Sequence, residues 1–178
     1  KIIWYQPNQH WVMAVFDGEN KLGYITFYSS KNLKEWKLES NIGNYYECPE
    51  LFELPVNGDK NNTRWVIFSG DAKYTIGQFD GKTFTPEHKE KHQLHYGLYY
   101  ASQIFNNSPH GRKIQIGWAK IEMVNMPFNQ TFSFPHELSL RKTEDGIRLF
   151  AEPINEIELL YKDTYVIKNK ILSSDKSI

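Results

Sequence analysis

The sequence predicts an all-β protein assembled from four-stranded units, and three observations predict it. Short runs rich in Val, Ile, Tyr, Phe and Trp alternate with polar turns along the whole chain. Aromatic residues make up 15% of the 178 residues (11 Tyr, 11 Phe and 5 Trp), a usage that favours strands. No segment holds a 3.6-residue apolar period over three turns, so no long helix is expected.

Each strand follows from its local pattern. The first group takes residues 2–5, the turn Gln6-Pro7-Asn8-Gln9, residues 11–16, the hairpin signal Asp17-Gly18-Glu19-Asn20, the alternating run 22–28, and 36–38. The second takes residues 49–54, a loop over 56–62, residues 65–69 and 75–79, the turn Asp80-Gly81, and 83–85. The third takes 99–105, a loop over 106–111, residues 113–119 and 132–141, the turn Glu144-Asp145-Gly146, and 147–151. Residues 153–161 read as a short helix or a linking strand. The groups recur at roughly 45–50 residues, the period of propeller blades. Asn32-Leu33-Lys34-Glu35-Trp36 near the end of the first is echoed by Asp80-Gly81-Lys82-Thr83-Phe84 near the end of the second. A β-sandwich with long hairpins is the competing architecture.

Composition excludes several function classes. Twenty-one basic residues balance 21 acidic ones with no basic stripe, which argues against a nucleic-acid partner. No apolar run approaches the ~18 residues that a membrane span needs. The single cysteine, Cys48, excludes an internal disulfide and leaves the redox compartment open. The chain opens in a strand at Lys1 and closes on a strand-like run over 164–172 with a polar tail. It is therefore expected to be an internal piece of a longer protein. Three open blades would leave strand edges available for self-association.

The most informative stretch is Tyr45-Tyr46-Glu47-Cys48-Pro49-Glu50-Leu51-Phe52. Glu47 stands where an aromatic pair gives way to a turn and a strand. A carboxylic acid at the mouth of a sheet, flanked by rings that exclude water, has the setting of a proton donor. The bland alternative is a Glu leading into a strand beside a turn proline.

Four stretches together resemble glycoside hydrolase family 32, the levanases, inulinases, invertases and sucrose-6-phosphate hydrolases. Lys1-Ile2-Ile3-Trp4 with Trp11-Val12-Met13-Ala14 resembles the segment after that family's Arg-Asp-Pro motif. Glu47-Cys48-Pro49 resembles its Glu-Cys-Pro motif. Tyr99-Tyr100-Ala101-Ser102-Gln103, with the run from Gly111 to Trp118, resembles the next block. Met126-Pro127-Phe128-Asn129-Gln130, with Phe134-Pro135-His136-Glu137-Leu138, resembles the last. The resemblance covers most of residues 1–153, in the family's order.

It implies a five-bladed β-propeller, of which residues 1–153 are about three blades. Residues 154–178 would be a linker and the first strand of a β-sandwich domain. It implies hydrolysis of β-fructosyl bonds in levan, inulin or sucrose with retention, with no cofactor and no metal. Glu47 takes the acid/base role, and Cys48, Tyr99 and Trp118 are the candidate sugar-binding residues. The family's nucleophile, an Asp in a Trp-Met-Asn-Asp-Pro-Asn-Gly motif, has no counterpart in these 178 residues, so this chain alone is expected to be inactive. Leu98 stands where the family often carries an Asp that contacts the sugar. The compartment is left open, leaning to an extracellular or periplasmic one. The rival readings are a non-catalytic carbohydrate-binding propeller and a related five-bladed pentosan-degrading glycosidase.

Other motifs carry less. His88, His92 and His95 have metal-ligand spacing, but Pro86 and the flanking Lys89, Glu90 and Lys91 point to a solvated loop. Ser69 and Ser102 lack a His-plus-acid partner by spacing, so a serine hydrolase is unsupported. Three Asn-x-Ser/Thr triplets, beginning at Asn61, Asn106 and Asn129, matter only in a eukaryotic secretory route.

Overall fold

The computed structural model describes residues 1–18 and 23–166. The second half of the hairpin signal at 17–20 and most of the strand-like run over 164–172 lie outside the described residues. The described part is all-β apart from three short 3₁₀ turns, and its strands form three consecutive four-stranded antiparallel units. The first unit contains β1 (Ile2–Tyr5), β2 (His10–Asp17), β3 (Gly23–Ser30) and β4 (Lys37–Tyr45), paired in that order. The second contains β5 (Glu50–Val56), β6 (Asp59–Phe68), β7 (Lys73–Phe79) and β8 (Phe84–Pro86), with the short β9 (His92–Gln93) also on β7. The third contains β10 (Tyr99–Ile104), β11 (Ile114–Ala119), β13 (His136–Thr143) and β14 (Gly146–Pro153), with the two-residue β12 (Thr131–Phe132) beside β11. The second and third units touch edge to edge through one parallel pair, Val56 with Leu140.

Side-chain alternation explains how the units pack. In β6, Val66 and Phe68 face the third unit, while Trp65 and Ile67 face the first. β5 divides the same way, Phe52, Leu54 and Val56 toward one side and Leu51 toward the other. β7 sends Tyr74 and Ile76 one way and Phe79 the other. The middle blade is therefore buried on both faces, and its strands read as near-continuous apolar runs. Tyr5 fastens the first blade to it, its hydroxyl donating to the Phe79 carbonyl at 3.1 Å.

The repeated turn motif performs the same job twice. Asn32 Oδ1 accepts the Lys34 and Glu35 amides at 3.0 and 2.9 Å. Asp80 Oδ1 accepts the Lys82 and Thr83 amides at 2.8 and 2.7 Å. Each side chain closes the turn that leads into the outermost strand of its blade.

The strand limits differ from the sequence reading in three places. The closing strand of the first blade is not the three residues 36–38 but the nine of β4, because its polar alternation Glu39-Ser40-Asn41 carries little β signal. Residues 56–62 are not a loop. Asn57 and Gly58 have left-handed φ values of 52° and 78°, a two-residue hairpin turn that lets β5 run directly into β6. The expected strand over 132–141 is split into β12 and β13 at Phe134-Pro135, because Pro135 brings no N–H to a ladder. Of the two alternatives for residues 153–161, the short helix is present, as a 3₁₀ helix over Asn155–Leu160.

Phe68 is completely buried in the cluster between the second and third blades. Phe68→Ala is expected to lower unfolding stability by about 3–5 kcal/mol, read as a shifted denaturant midpoint of the protein carrying these residues.

Candidate active site

Glu47 lies in the link between β4 and β5, where one blade passes to the next. Tyr45 is buried and its hydroxyl donates to Thr75 Oγ1 at 2.9 Å, which pins the end of β4. Pro49 and Glu50 are buried at the start of β5. Between these anchors the chain turns outward at Cys48, whose φ of 56° is left-handed, and this lifts the Glu47 side chain into solvent. A non-glycine residue in that region is uncommon and strained, and such residues concentrate at functional sites.

The Glu47 carboxylate accepts a hydrogen bond from the Tyr100 hydroxyl across the boundary between the second and third blades. Burial, together with the Glu47 bond and charge, pushes the Tyr100 phenol well above its usual range, so it stays protonated and acts as a donor. The Tyr100 ring meets Tyr46 edge to face at 6.1 Å and Trp118 edge to face at 6.1 Å. Lys120 Nζ stands 3.3 Å from the Tyr100 ring centre and 5.0 Å from that of Trp118, a cation over two aromatic faces. Glu47, Tyr46, Tyr100, Trp118 and Lys120 thus form one cluster.

The predicted residues divide. Glu47 and Trp118 share this cluster. Trp118 is near the end of β11, however, not on the strand that begins its blade, and Tyr100 on β10 joins it to Glu47. Cys48 is half-buried beside Glu47, and burial and the Glu47 charge push its thiol up, so it stays a thiol. Tyr99 points the other way. Its ring stacks on His95 at 3.9 Å, and burial pushes its phenol up to about 12. Tyr100, not the candidate sugar-binding residue Tyr99, is the tyrosine beside Glu47, because neighbours on a strand face opposite sides. Leu98 is exposed.

Gly70, in the β6–β7 turn, was missed. Its N–H donates to the Glu47 carbonyl at 2.7 Å, and its own carbonyl accepts the Ala101 amide at 3.0 Å. A Cβ on residue 70 would sit 2.9 Å from that Glu47 oxygen and 3.5 Å from the Tyr100 ring. Ala101 is also left-handed, with φ of 45°. One turn thereby clamps the backbones that carry Glu47 and Tyr100. The sequence signal was an isolated Gly in a turn, with nothing to mark what approached it.

The histidines do not converge. His88 and His92 rings lie 6.4 Å apart; His88 stands on the exposed loop expected there, over residues 87–91, while His92 packs on Tyr74 as part of the two-residue β9. His95 meets Gln115 Oε1 at 3.1 Å, and Gln115 donates to Ser102 Oγ at 2.9 Å, a buried polar chain behind the site. No group of three or more His, Cys, Asp or Glu side chains suited to a metal occurs among the described residues. No helix among them is long and apolar enough to cross a membrane.

Gly70→Ala is expected to push the Glu47 and Ala101 backbones apart and to cost about 1–3 kcal/mol of stability. The Tyr100–Glu47 contact should loosen with it. A thermal melt and the phenol absorbance of Tyr100 during alkaline titration check the two effects.

Residues 1–153 match the family described as "Glycosyl hydrolases family 32 N-terminal domain". The chain is 31% identical over 200 aligned residues to a levanase of Bacillus subtilis (strain 168), covering 97% of this chain and 29% of that protein. It is 32% identical over 187 residues to invertase 2 of Saccharomyces cerevisiae, covering 88% of this chain and 35% of that one. Among solved structures it superimposes on an exo-inulinase from Aspergillus awamori with a TM-score of 0.72 at 27% identity, covering 85% of this chain and 35% of that one. A β-fructofuranosidase from Schwanniomyces occidentalis complexed with fructosyl-erythritol gives 0.73 at 25% identity, covering 85% and 34%. The chain spans about a third of the length of these relatives.

Proposed function

The chain belongs to glycosyl hydrolase family 32, and on that premise we propose that it carries the acid/base half of a retaining β-fructosidase site. The observation that supports this is the Tyr100 hydroxyl bound to the Glu47 carboxylate within the Glu-Cys-Pro motif, at the junction of two blades. Glu47 protonates the oxygen of the leaving group as the fructosyl bond breaks, and then takes a proton from the water that releases fructose. Tyr100 donates to the carboxylate form, orients it, and gives it a partner when the proton has been delivered. Trp118 offers an apolar ring face to the sugar beside the acid.

Retention needs a second carboxylate ~5–5.5 Å from the first, as nucleophile. In this proposal it comes from sequence outside these 178 residues, while residues 154–178 lead toward a β-sandwich domain. Sucrose, levan and inulin all present the required β-fructosyl bond.

The test uses the complete gene product that carries these residues. Glu47→Gln should lower kcat on sucrose and levan by roughly 10²–10⁴-fold, with a smaller loss on a fructoside whose leaving group needs no protonation. Residues 1–178 purified alone should release no fructose. Equal losses on both leaving groups, or a near-normal rate on sucrose, would remove Glu47 from the acid role. A wild-type protein that binds levan and releases nothing would identify a non-catalytic carbohydrate-binding propeller, and arabinose or xylose release would identify a pentosanase.

A further inference from the structure

Tyr100, Trp118 and Phe132 occupy one row across three adjoining strands. Tyr100 on β10 is the register partner of Trp118 on β11, and Trp118 is the register partner of Phe132 on β12. Residues directly opposite in antiparallel strands project from the same face of the sheet. The row therefore leads away from Glu47 one strand at a time, and strand spacing makes it roughly 10 Å long from β10 to β12. Along the row the rings become more exposed: Trp118 is 39% exposed and Phe132 is 72% exposed.

An exposed phenylalanine contributes little to a core, yet the backbone beneath Phe132 is firmly held. The Ser133 amide donates to the Gly117 carbonyl at 2.8 Å, and Ser133 Oγ accepts the Gly117 amide at 3.0 Å. Phe132 is thus displayed on a fixed strand, and a ligand that covers it need not order the backbone beneath it.

We infer that Phe132 is a sugar-binding residue that selects for fructan chains over sucrose. This rests on the reading of Glu47 as the acid. With the fructosyl unit beside Glu47, the first ring of the leaving group lies on Trp118 and the second on Phe132. A sugar ring is about as wide as one strand spacing, so the row seats successive rings of a chain. Each ring presents a C–H face to an aromatic face and keeps its hydroxyls in water. Sucrose has only one ring beyond the bond that is cut, so it leaves Phe132 uncovered. A levan or inulin chain covers it. Phe132 changes no bond; it adds binding to longer substrates.

The experiment compares wild type, Phe132→Ala and Phe132→Trp of the complete gene product on sucrose and on a series of fructo-oligosaccharides of increasing length. Phe132→Ala should raise KM for the longer members about tenfold, equivalent to about 1.4 kcal/mol. It should leave their kcat, the KM for sucrose, the melting temperature and the sedimentation coefficient unchanged. Phe132→Trp should restore the low KM. Equal losses on sucrose and on long chains would overturn the inference, since Phe132 would then act through the acid's own pocket. So would a KM that ignores Phe132 at every chain length. A lowered melting temperature or an altered sedimentation coefficient would also overturn it, by showing that the ring covers protein. If wild type hydrolyses nothing, the reading of Glu47 fails by itself. Titration of tryptophan fluorescence with the same oligosaccharides then still tests Phe132.

Discussion

Lys1, Glu50 and Ile104 tie the three blades together at their inner strands. The Lys1 ammonium lies 3.0 Å from Glu50 Oε2 as an ion pair, and it donates a hydrogen bond to the Ile104 carbonyl at 2.8 Å. The Lys1 and Glu50 side chains are only 8% and 0% exposed. Burial pushes the Glu50 carboxyl up, and the Lys1 charge opposes the shift. Such a pair adds little over a well-packed apolar one, but removing either partner strands a buried charge and costs about 3–5 kcal/mol. Its consequence here is geometric. Lys1 precedes β1, Glu50 begins β5 and Ile104 ends β10, so one contact sets how the three strands lie against each other. Glu50 is three residues past Glu47, and the depth at which β5 is anchored determines where Glu47 emerges.

Two-sided burial of the middle blade complements this anchor. β5, β6 and β7 send alternate side chains into the cores on either side, so none of their faces is free to carry chemistry. Function is left to the links and turns at the strand ends, which the packed sheets hold in place. The left-handed residues Cys48 and Ala101 each directly follow a polar member of the cluster, Glu47 and Tyr100. The backbone strain at these two positions is balanced by the Gly70 clamp between them.

The cluster also divides labour between adjacent side chains. Tyr45 closes the core while Tyr46 meets Tyr100, and Tyr99 stacks on His95 while Tyr100 binds Glu47. In both pairs strand alternation gives one ring to stability and the other to the site. Lys120 joins the second group because it follows Trp118 by two residues and shares its face of the sheet.

Much of this was legible in the sequence because it is encoded locally. Aromatic and β-branched runs marked the strands, Asp80-Gly81 marked its turn, and Glu-Cys-Pro marked the link in which Glu47 stands. Even the Asn57-Gly58 hairpin that the reading passed over was written in two adjacent residues. Other features depend on partners distant along the chain. That Tyr100 rather than Tyr99 faces Glu47 follows from the register of β10 against β11, and two consecutive tyrosines carry no mark of their parity. Gly70 matters because Glu47 and Ala101 converge on it from 23 and 31 residues away. The Lys1–Glu50 pair and the row from Tyr100 to Phe132 exist only once blades and strands lie side by side. The sequence by itself determined most of the strands and turns and the Glu-Cys-Pro motif between the first two blades, because those preferences act within a few residues. Only the tertiary structure decided which side chains meet, because strand register is set by packing and pairing between segments that are far apart in the chain.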